Sequence, residues 1–525
     1  MEKRLFLAVT LSLLVMLLYP IILSKINPSL MTSEPHQNTQ PIELQKDIET
    51  RLDSAIPIKE VNPSIVSIAN DKYFFNISDI GGSINSINIK RQGFKDADLV
   101  SNANLQAGIL SIEGDGVLSG LSSKRFEVTN IESGTRLMYN DNNIGIEKII
   151  TLLPDRYGAT SSVTIKNNSG TRQDLAFEIT VGSNISDKEQ FESRYIAAYI
   201  LYQDGKLRRV ASHNSSKYNK LYQNNIEWLM LQNKYFSIIA KPYFPIKGVF
   251  TKSIQGRLVA GFIVNDNIMP AEVKSYNMLF YIGALDIEDL EKVDRSFGKA
   301  INFGVFTSIG LVLLGILEFF HGIFHNYGVA ILLLTFCVGV VLYPLTFKSM
   351  KSMKRLQELQ PQIEKLRIEH KNNPQRLNKE IMELYRRNNV NPMSGCLPLF
   401  LQMPIFIALY QTLTRSIRLK EASFLWIKDL SMPDAAFSLP INIPILGNKL
   451  NILPILMIGA MILQQRLSQS NVSNTLQTEQ QKIMAVTMPL VFGFIFYNLP
   501  SGLVLYWLTN TILTIFLQYI SIRKI

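Results

Sequence analysis

Residues 348–391 carry 11 Lys/Arg against 5 Glu and stand between two apolar runs, residues 329–347 and 397–413. A segment this basic stays on the cytoplasmic side of a membrane, while each flanking run is long enough, as a helix, to cross a ~30 Å hydrocarbon layer. The juxtaposition rules out a soluble globular fold for this half of the chain and fixes the direction in which its spans run. Within the basic segment, Met350, Met353, Leu356, Ile363 and Leu366 recur at helical spacing. Asn372-Asn373-Pro374 interrupts the pattern, and Leu377, Ile381 and Leu384 resume it. Two helices with narrow apolar stripes satisfy each other or a bilayer surface, so a helical hairpin is expected, with Pro361 kinking its first arm.

Working outward from this anchor, residues 5–23 contain no charge and follow Lys3 and Arg4. The run is too long for a signal-peptide core and no small-residue cleavage pattern follows, so it reads as a retained anchor with a cytoplasmic N-terminus. Residues 24–60, rich in Pro, Ser, Gln and Asn, cannot bury enough apolar surface to order themselves and read as a linker. Overall, 47% of residues are hydrophobic and 18% charged, against roughly a quarter charged in soluble domains. The net charge of +11 suits either nucleic acid or a membrane surface, and the placement of the basic residues at the ends of apolar runs favours the membrane. Cys337 and Cys396 both lie in or beside apolar runs and read as buried thiols rather than a disulfide framework.

Across residues 61–290 the period changes to two. Leu175, Phe177, Ile179 and Val181 alternate with Ala176, Glu178 and Thr180, and turn residues punctuate such runs at Gly81-Gly82, Asn167-Asn168-Ser169-Gly170 and Asp204-Gly205. An all-β sandwich is expected, on the far side of the membrane from the N-terminus. With His213 as its single histidine, no cysteine and no phosphate-cradling loop, it reads as a binding or spacing module.

Residues 303–324 and 329–347 would both be spans by hydropathy alone. Charge permits only one crossing there, since two would carry the basic hairpin outside. Glu318, His321 and His325 share one helix face in the first run, so residues 301–325 are expected to lie along the outer surface as an interfacial amphipathic helix. The same triplet has metal-site spacing, but no glutamate adjoins His321 to act as a base, and a polar face at the interface explains it as well. Further spans are expected at residues 397–413, at 450–463 with a start near Ile441 and Lys449 snorkelling, at 484–499 and at 503–518. The last two are joined by Pro500-Ser501-Gly502. Arg466, Lys482, Arg523 and Lys524 fall inside on this scheme, while Arg415, Arg418, Lys420, Lys428 and Lys449 fall outside and weaken it. The expected fold class is a multi-domain membrane protein: an α-helical transmembrane bundle of six spans, a cytoplasmic helical hairpin at 348–391, and an all-β periplasmic sandwich, with both termini cytoplasmic and residues 24–327 periplasmic.

Residues 328–347 and 484–518 hold no Asp, Glu, Lys or Arg, and Lys482 lies just outside. Ion-coupled transporters place ionisable groups at depth and are built from repeats, and neither feature occurs; a secondary transporter with a periplasmic binding domain is therefore the runner-up. An intramembrane hydrolase is disfavoured because Ser394 and Ser501 have no histidine in the spans to serve them. What the spans offer is neutral polarity: Thr335, Gln402, Gln411, Thr412, Gln464, Thr509, Asn510 and Gln518. Such groups mostly hydrogen-bond neighbouring helices, or alternatively face a shared hydrated concavity.

Tyr343-Pro344-Leu345-Thr346, Leu359-Gln360-Pro361, Asn391-Pro392 followed by Gly395-Cys396-Leu397-Pro398, Gln402-Met403-Pro404-Ile405-Phe406, Phe424-x-Trp426-Ile427-x-Asp429-Leu430, Gln481-Lys482-Ile483-Met484, Met488-Pro489 and Pro500-Ser501-Gly502-Leu503 with Tyr506-Trp507 follow one another in order. In this order and spacing the chain resembles the YidC membrane-protein insertase family, and its β region resembles the large periplasmic domain of the Gram-negative branch, through Gly81-Gly82 and residues 228–242. The resemblance implies a protein of the bacterial inner membrane that performs no chemical reaction and needs no cofactor or metal. It implies an insertase core at residues 328–520, with a groove open to cytoplasm and lipid that accepts nascent membrane proteins and releases them sideways. Its implied partners are the lipid bilayer, the Sec translocon and, through the hairpin, the ribosome, with no specific nucleic-acid sequence. Thr335, Gly339, Gln402, Met403, Pro404, Phe492, Phe496 and Trp507 fall at groove positions, and the hairpin presents Lys351, Lys354, Arg355, Lys365, Arg367, Arg376, Lys379, Arg386 and Arg387. One departure stands out: Gly339 occupies the place of the family's groove arginine, and restoring an arginine there is expected to be tolerated.

Overall fold

The computed structural model describes residues 63–524 apart from 92–93, 102–107, 184–194, 213–219, 224, 255–256, 303–305, 392–396, 444–446 and 469–476. The anchor at 1–23 and the linker at 24–60 therefore lie outside the described residues, as does His213. The chain divides into two compact units, Met1–Ile301 and Asn302–Ile525.

The first unit is built from antiparallel sheets of nine, five and four strands. The strand Gln173–Ser183 carries the expected alternation, with Leu175, Phe177, Ile179 and Val181 buried. Its Gly182 leaves room for Ile238 and Leu231 of the nine-stranded sheet, so the core lies between the two sheets. Gly81 and Gly82 both take positive φ, at 70° and 52°. A Cβ on Gly81 would come within 2.7 Å of the Ser122 carbonyl oxygen, so the turn needs glycine for close approach as well as for its backbone angles.

One inward position breaks the apolar pattern. On the strand Ile144–Leu152, between buried Ile146 and Ile150, Lys148 is wholly buried and donates to the carbonyls of Gly81 at 2.7 Å, Gly82 at 3.1 Å and Leu110 at 2.8 Å. Its ammonium also lies 4.8 Å from the centre of the Phe126 ring. Three N–H donors meet three acceptors, so a single side chain ties the glycine turn and residue 110 to the large sheet.

The β unit continues past its last strand, Val273–Ala284. Helix α1, Ile287–Val293, is capped by Asp286, and Asp294 caps the short 3-10 turn Arg295–Ala300. That turn drives Phe297 beneath Trp228 and Tyr281, with ring centroids 6.3 and 6.4 Å away. Lys241 pairs with Asp294 at 2.9 Å and Glu227 at 3.4 Å. The packing therefore carries the unit through to Ile301.

The second unit is helical: α2 Thr307–Phe324, α3 Tyr327–Glu358, α4 Gln360–Glu369, α5 Pro374–Arg387, α6 Leu397–Arg415, α7 Ile452–Ser468, α8 Gln477–Phe496 and α9 Ser501–Lys524. Among the described residues, Thr307–Phe324, Tyr327–Leu356 and Ser501–Ile520 are long and apolar enough to cross a membrane, and Ile452–Leu467 and Val486–Phe496 are shorter apolar helices.

Two expectations change here. Pro361 does not kink a continuous helix. It sits in the first turn of α4, where its missing N–H is harmless, and α3 ends at Glu358. Nor does a helix begin near Ile441: Phe437–Ile443 and Gly447–Leu450 form a β-hairpin, with Lys449 opposite Ser438, and α7 starts at Ile452. The alternation Phe437-Ser438-Leu439-Pro440-Ile441-Asn442-Ile443 and the turn residue Gly447 suit a short strand pair.

Candidate functional site

The bundle's core is shared by α2, α3, α6, α7, α8 and α9, through Leu317, Leu334, Leu409, Met457, Phe496 and Tyr506 among others. Three of the candidate groove residues, Phe492, Phe496 and Trp507, pack into it or against it. Phe492 and Phe496 on α8 and Trp507 on α9 do come together, and Phe406 on α6 completes the group, with ring centroids 5.1–6.0 Å apart. Phe406 has no place among the sequence candidates, although it lies one helical turn beyond Gln402 and so on the same face. Gln402 is buried and its amide donates to the Tyr506 hydroxyl across the α6–α9 contact. Tyr506, next to Trp507, is the other residue that sequence reasoning missed. Met403 and Pro404 are half-buried on α6.

The hydroxyls are partnered differently from the expectation of bonds between helices. Thr335 donates to the Ile331 carbonyl at 2.7 Å, Thr412 to Ala408 at 2.9 Å, Thr509 to Leu505 at 2.7 Å and Thr511 to Trp507 at 2.9 Å. Each satisfies itself on its own helix four residues back, which removes the cost of placing it in an apolar setting. Gln402 and Tyr506, by contrast, bond across the contact between two helices.

Gly339 is packed. A Cβ there would lie 2.4 Å from Cδ2 of Leu513 on α9. The neighbour is the tip of a flexible side chain, so an arginine is accommodated only as Leu513 moves. Gly339→Arg alone is expected to lower the unfolding free energy in detergent by about 1–3 kcal/mol, the usual cost of overpacking. Adding Leu513→Ala is expected to recover part of that loss. An unchanged melting temperature in the single variant would show that this packing is loose.

Of the Glu318-His321-His325 triplet, Glu318 and His321 are engaged by neighbouring side chains, while His325 is exposed. Glu318 pairs with Arg418 at 2.9 Å and accepts from the Tyr327 hydroxyl at 3.2 Å, while His321 stacks on the Tyr327 ring at 3.7 Å. No group of three candidate metal ligands occurs among the described residues. The exposed face of α2 is instead apolar, with Val312, Phe319 and Ile323.

Around the basic hairpin, α3 continues past Phe347 as helix to Glu358, because the sequence from Lys348 onward holds no helix breaker before Pro361. Leu359, Ile363 and Val390 are buried, with Leu356, Ile381, Leu384 and Tyr385 packed on them. The stripes therefore satisfy each other, as expected, though Met353 stays exposed. Asn373 caps α5 by accepting from the Arg376 N–H at 3.1 Å. Lys351, Arg355, Lys365, Arg376, Lys379, Arg386 and Arg387 are exposed, and Lys354 and Arg367 half-buried.

At the far end of α3, the loop after α6 settles on the bundle. Phe424 lies on Gly328, where any Cβ would fall 2.0 Å from its ring. The N–H groups of Ser501 and Gly502 donate to the carbonyls of Met432 at 2.8 Å and Leu430 at 2.9 Å. Asp434 accepts from the N–H groups of Ile452 at 2.8 Å and Leu453 at 2.9 Å, capping α7 from outside its own chain segment.

These features define a class: a polytopic helical membrane protein whose apolar bundle carries a basic hairpin at one end and a tied-down loop at the other, preceded by a β-sandwich domain. A family profile described as 60Kd inner membrane protein matches residues 319–525, and one described as YidC periplasmic domain matches residues 65–315. A membrane protein insertase YidC from Pelobacter propionicus is 30% identical over 554 aligned positions, covering 98% of this chain and 98% of the relative. Another from Syntrophobacter fumaroxidans is 32% identical over 414 positions, covering 74% of this chain and 72% of the relative. A solved structure described as an active YidC insertase with its first transmembrane domain resolved is 20% identical, covers 88% of this chain and 94% of its own, and aligns with a TM-score of 0.39. The chain belongs to the YidC family of membrane protein insertases.

Proposed function

We propose that this protein is a membrane protein insertase and chaperone of the bacterial inner membrane, acting by binding and release without a chemical step. The observation that carries this reading is family membership along almost the entire chain, joined to spans that hold neutral polarity and packed aromatics in place of ionisable groups. A secondary transporter finds no support of that kind.

In this reading the chain crosses the membrane six times, through residues 5–23 and α3, α6, α7, α8 and α9, with both termini cytoplasmic. Residues 24–327 lie outside, and α2 lies along the outer surface with its apolar face towards lipid. The hairpin α4–α5 meets an arriving segment in the cytoplasm. Thr335, Gly339, Gln402, Met403, Pro404, Phe492, Phe496 and Trp507 border the path along which the apolar segment passes before it leaves sideways into lipid. With glycine at 339, the positive charge met by an acidic substrate tail comes chiefly from the hairpin. The Sec translocon and the ribosome are the further partners this role involves.

A photo-crosslinker at Met403 tests the reading. It is expected to capture a ribosome-stalled nascent membrane protein once its first apolar segment has emerged, and an exposed hairpin position such as Lys379 is expected to capture shorter chains first. Capture at neither position at any chain length would remove the proposed path.

A further inference from the structure

Phe424 and Ile427 exchange both backbone hydrogen bonds, each 2.9 Å long, and so close a two-residue turn whose tip is Leu425-Trp426. Leu425 has φ of 53° and is 75% exposed. That backbone region suits asparagine or glycine, so a leucine held there is strained, and its side chain stands in the open. The base is rigid: Ile427 is buried and Phe424 is seated on Gly328. Trp426 is 40% exposed, and its indole N–H donates to Asp434 at 3.3 Å. One end of the ring is thus satisfied while its body stays open, the arrangement tryptophan adopts at membrane–water boundaries.

The surroundings indicate what covers this tip. Asp434 also caps α7, so the tip is tied to the start of a helix whose first turns expose Ile455 and Leu456. Phe437, at the start of the β-hairpin, is 60% exposed. Lys428 and Lys449 are exposed nearby, with Glu421 as the exposed acid; Asp429 and Asp434 are engaged in backbone caps.

We propose that the Leu425-Trp426 turn is a membrane foot: it inserts into the headgroup and upper acyl region of the outer leaflet, with Lys428 and Lys449 against anionic phospholipid headgroups. This placement rests on the topology given above. It would hold the outer end of α6, α7 and α9 at a fixed depth while the hairpin end receives the substrate.

The test uses the full chain with Cys337 and Cys396 replaced by alanine, a single environment-sensitive fluorophore at Leu425→Cys or, as a second variant, Phe437→Cys, and vesicles containing phosphatidylglycerol. The expected result is quenching by lipids brominated near the glycerol end of the acyl chain. Iodide quenching is expected to be about threefold or more weaker than at Asp204→Cys on the β unit, as for a buried interfacial position. Lys428→Glu is expected to reduce the lipid quenching in phosphatidylglycerol vesicles and to leave it unchanged in phosphatidylcholine. Full iodide access, or a shielded label that brominated lipid leaves unquenched, would overturn the proposal, the second outcome meaning that protein covers the tip. Labelling of Asp204→Cys by a membrane-impermeant maleimide reports the sidedness separately, so a failed topology is distinguishable from a failed foot.

Discussion

A chain lacking residues 351–387, with a short Gly-Ser join, is expected to insert a small membrane-protein substrate at least about tenfold more slowly than the intact protein, the scale on which charge steering acts. The deletion removes Lys351, Lys354, Arg355, Lys365, Arg367, Arg376, Lys379, Arg386 and Arg387, and with glycine at 339 no basic side chain within α3's apolar stretch replaces them. It is also a clean excision. Leu356, Leu359, Ile363, Ile381, Leu384 and Tyr385 pack mainly among themselves, with Val390 as their remaining partner, whereas the bundle's own core runs from Leu313 to Trp507 through different residues. The spans are therefore expected to keep their helicity and melting temperature in detergent. Reconstituted proteoliposomes supply the rate, and wild-type insertion by the deleted chain would refute a receiving role for the hairpin.

Replacing Lys148 by methionine is expected to lower the unfolding free energy of the β unit by roughly 3 kcal/mol or more. The methionine fills the space, but the carbonyls of Gly81, Gly82 and Leu110 lose the donor they share, and each buried acceptor left unpaired costs about 1–3 kcal/mol. Burial pushes the Lys148 ammonium down to about 7, while its three carbonyl partners favour the charged form. Because the folded value lies below the ordinary 10.5, the unfolded chain binds more protons between the two. Stability therefore rises with pH across that window, by at most about 1.4 kcal/mol per pH unit. Tyr73 and Tyr222 are held above the usual tyrosine value by burial. Their contribution has the opposite sign and begins above about pH 10. Urea unfolding of residues 61–301 between pH 7 and the onset of tyrosine titration isolates the lysine: the wild-type slope should vanish in Lys148→Met. A slope unchanged by the substitution would assign it to other groups.

The legible features were those set by local periodicity and by charge. Alternation at Leu175 to Val181 announced a strand, and the stripe Leu356, Ile363, Ile381, Leu384 announced two helices whose apolar faces would cover each other or meet a bilayer; the structure packs them on each other. Residues that meet across the bundle were harder to read. Phe492, Phe496 and Trp507 were reachable through family resemblance, but Phe406 and Tyr506 join them only because α6, α8 and α9 converge, and no spacing along one helix encodes that. Lys148 was hidden for a related reason: at an inward strand position a lysine looks like an error of pattern until three carbonyls from residues 81, 82 and 110 are found around it.

By itself the sequence determined the β half, the apolar segments, the hairpin with its two stripes and the family, because these follow from the period of side chains along one element, from charge and from ordered motifs. The tertiary structure alone decided that Glu318 pairs with Arg418, that Gly339 packs against Leu513, that the strands Phe437–Ile443 and Gly447–Leu450 pair ahead of α7, and that Leu425-Trp426 stands out on a rigid turn. Each of those depends on which distant side chain arrives to supply a partner or occupy a space, and neither propensity nor hydropathy along a single segment carries that information.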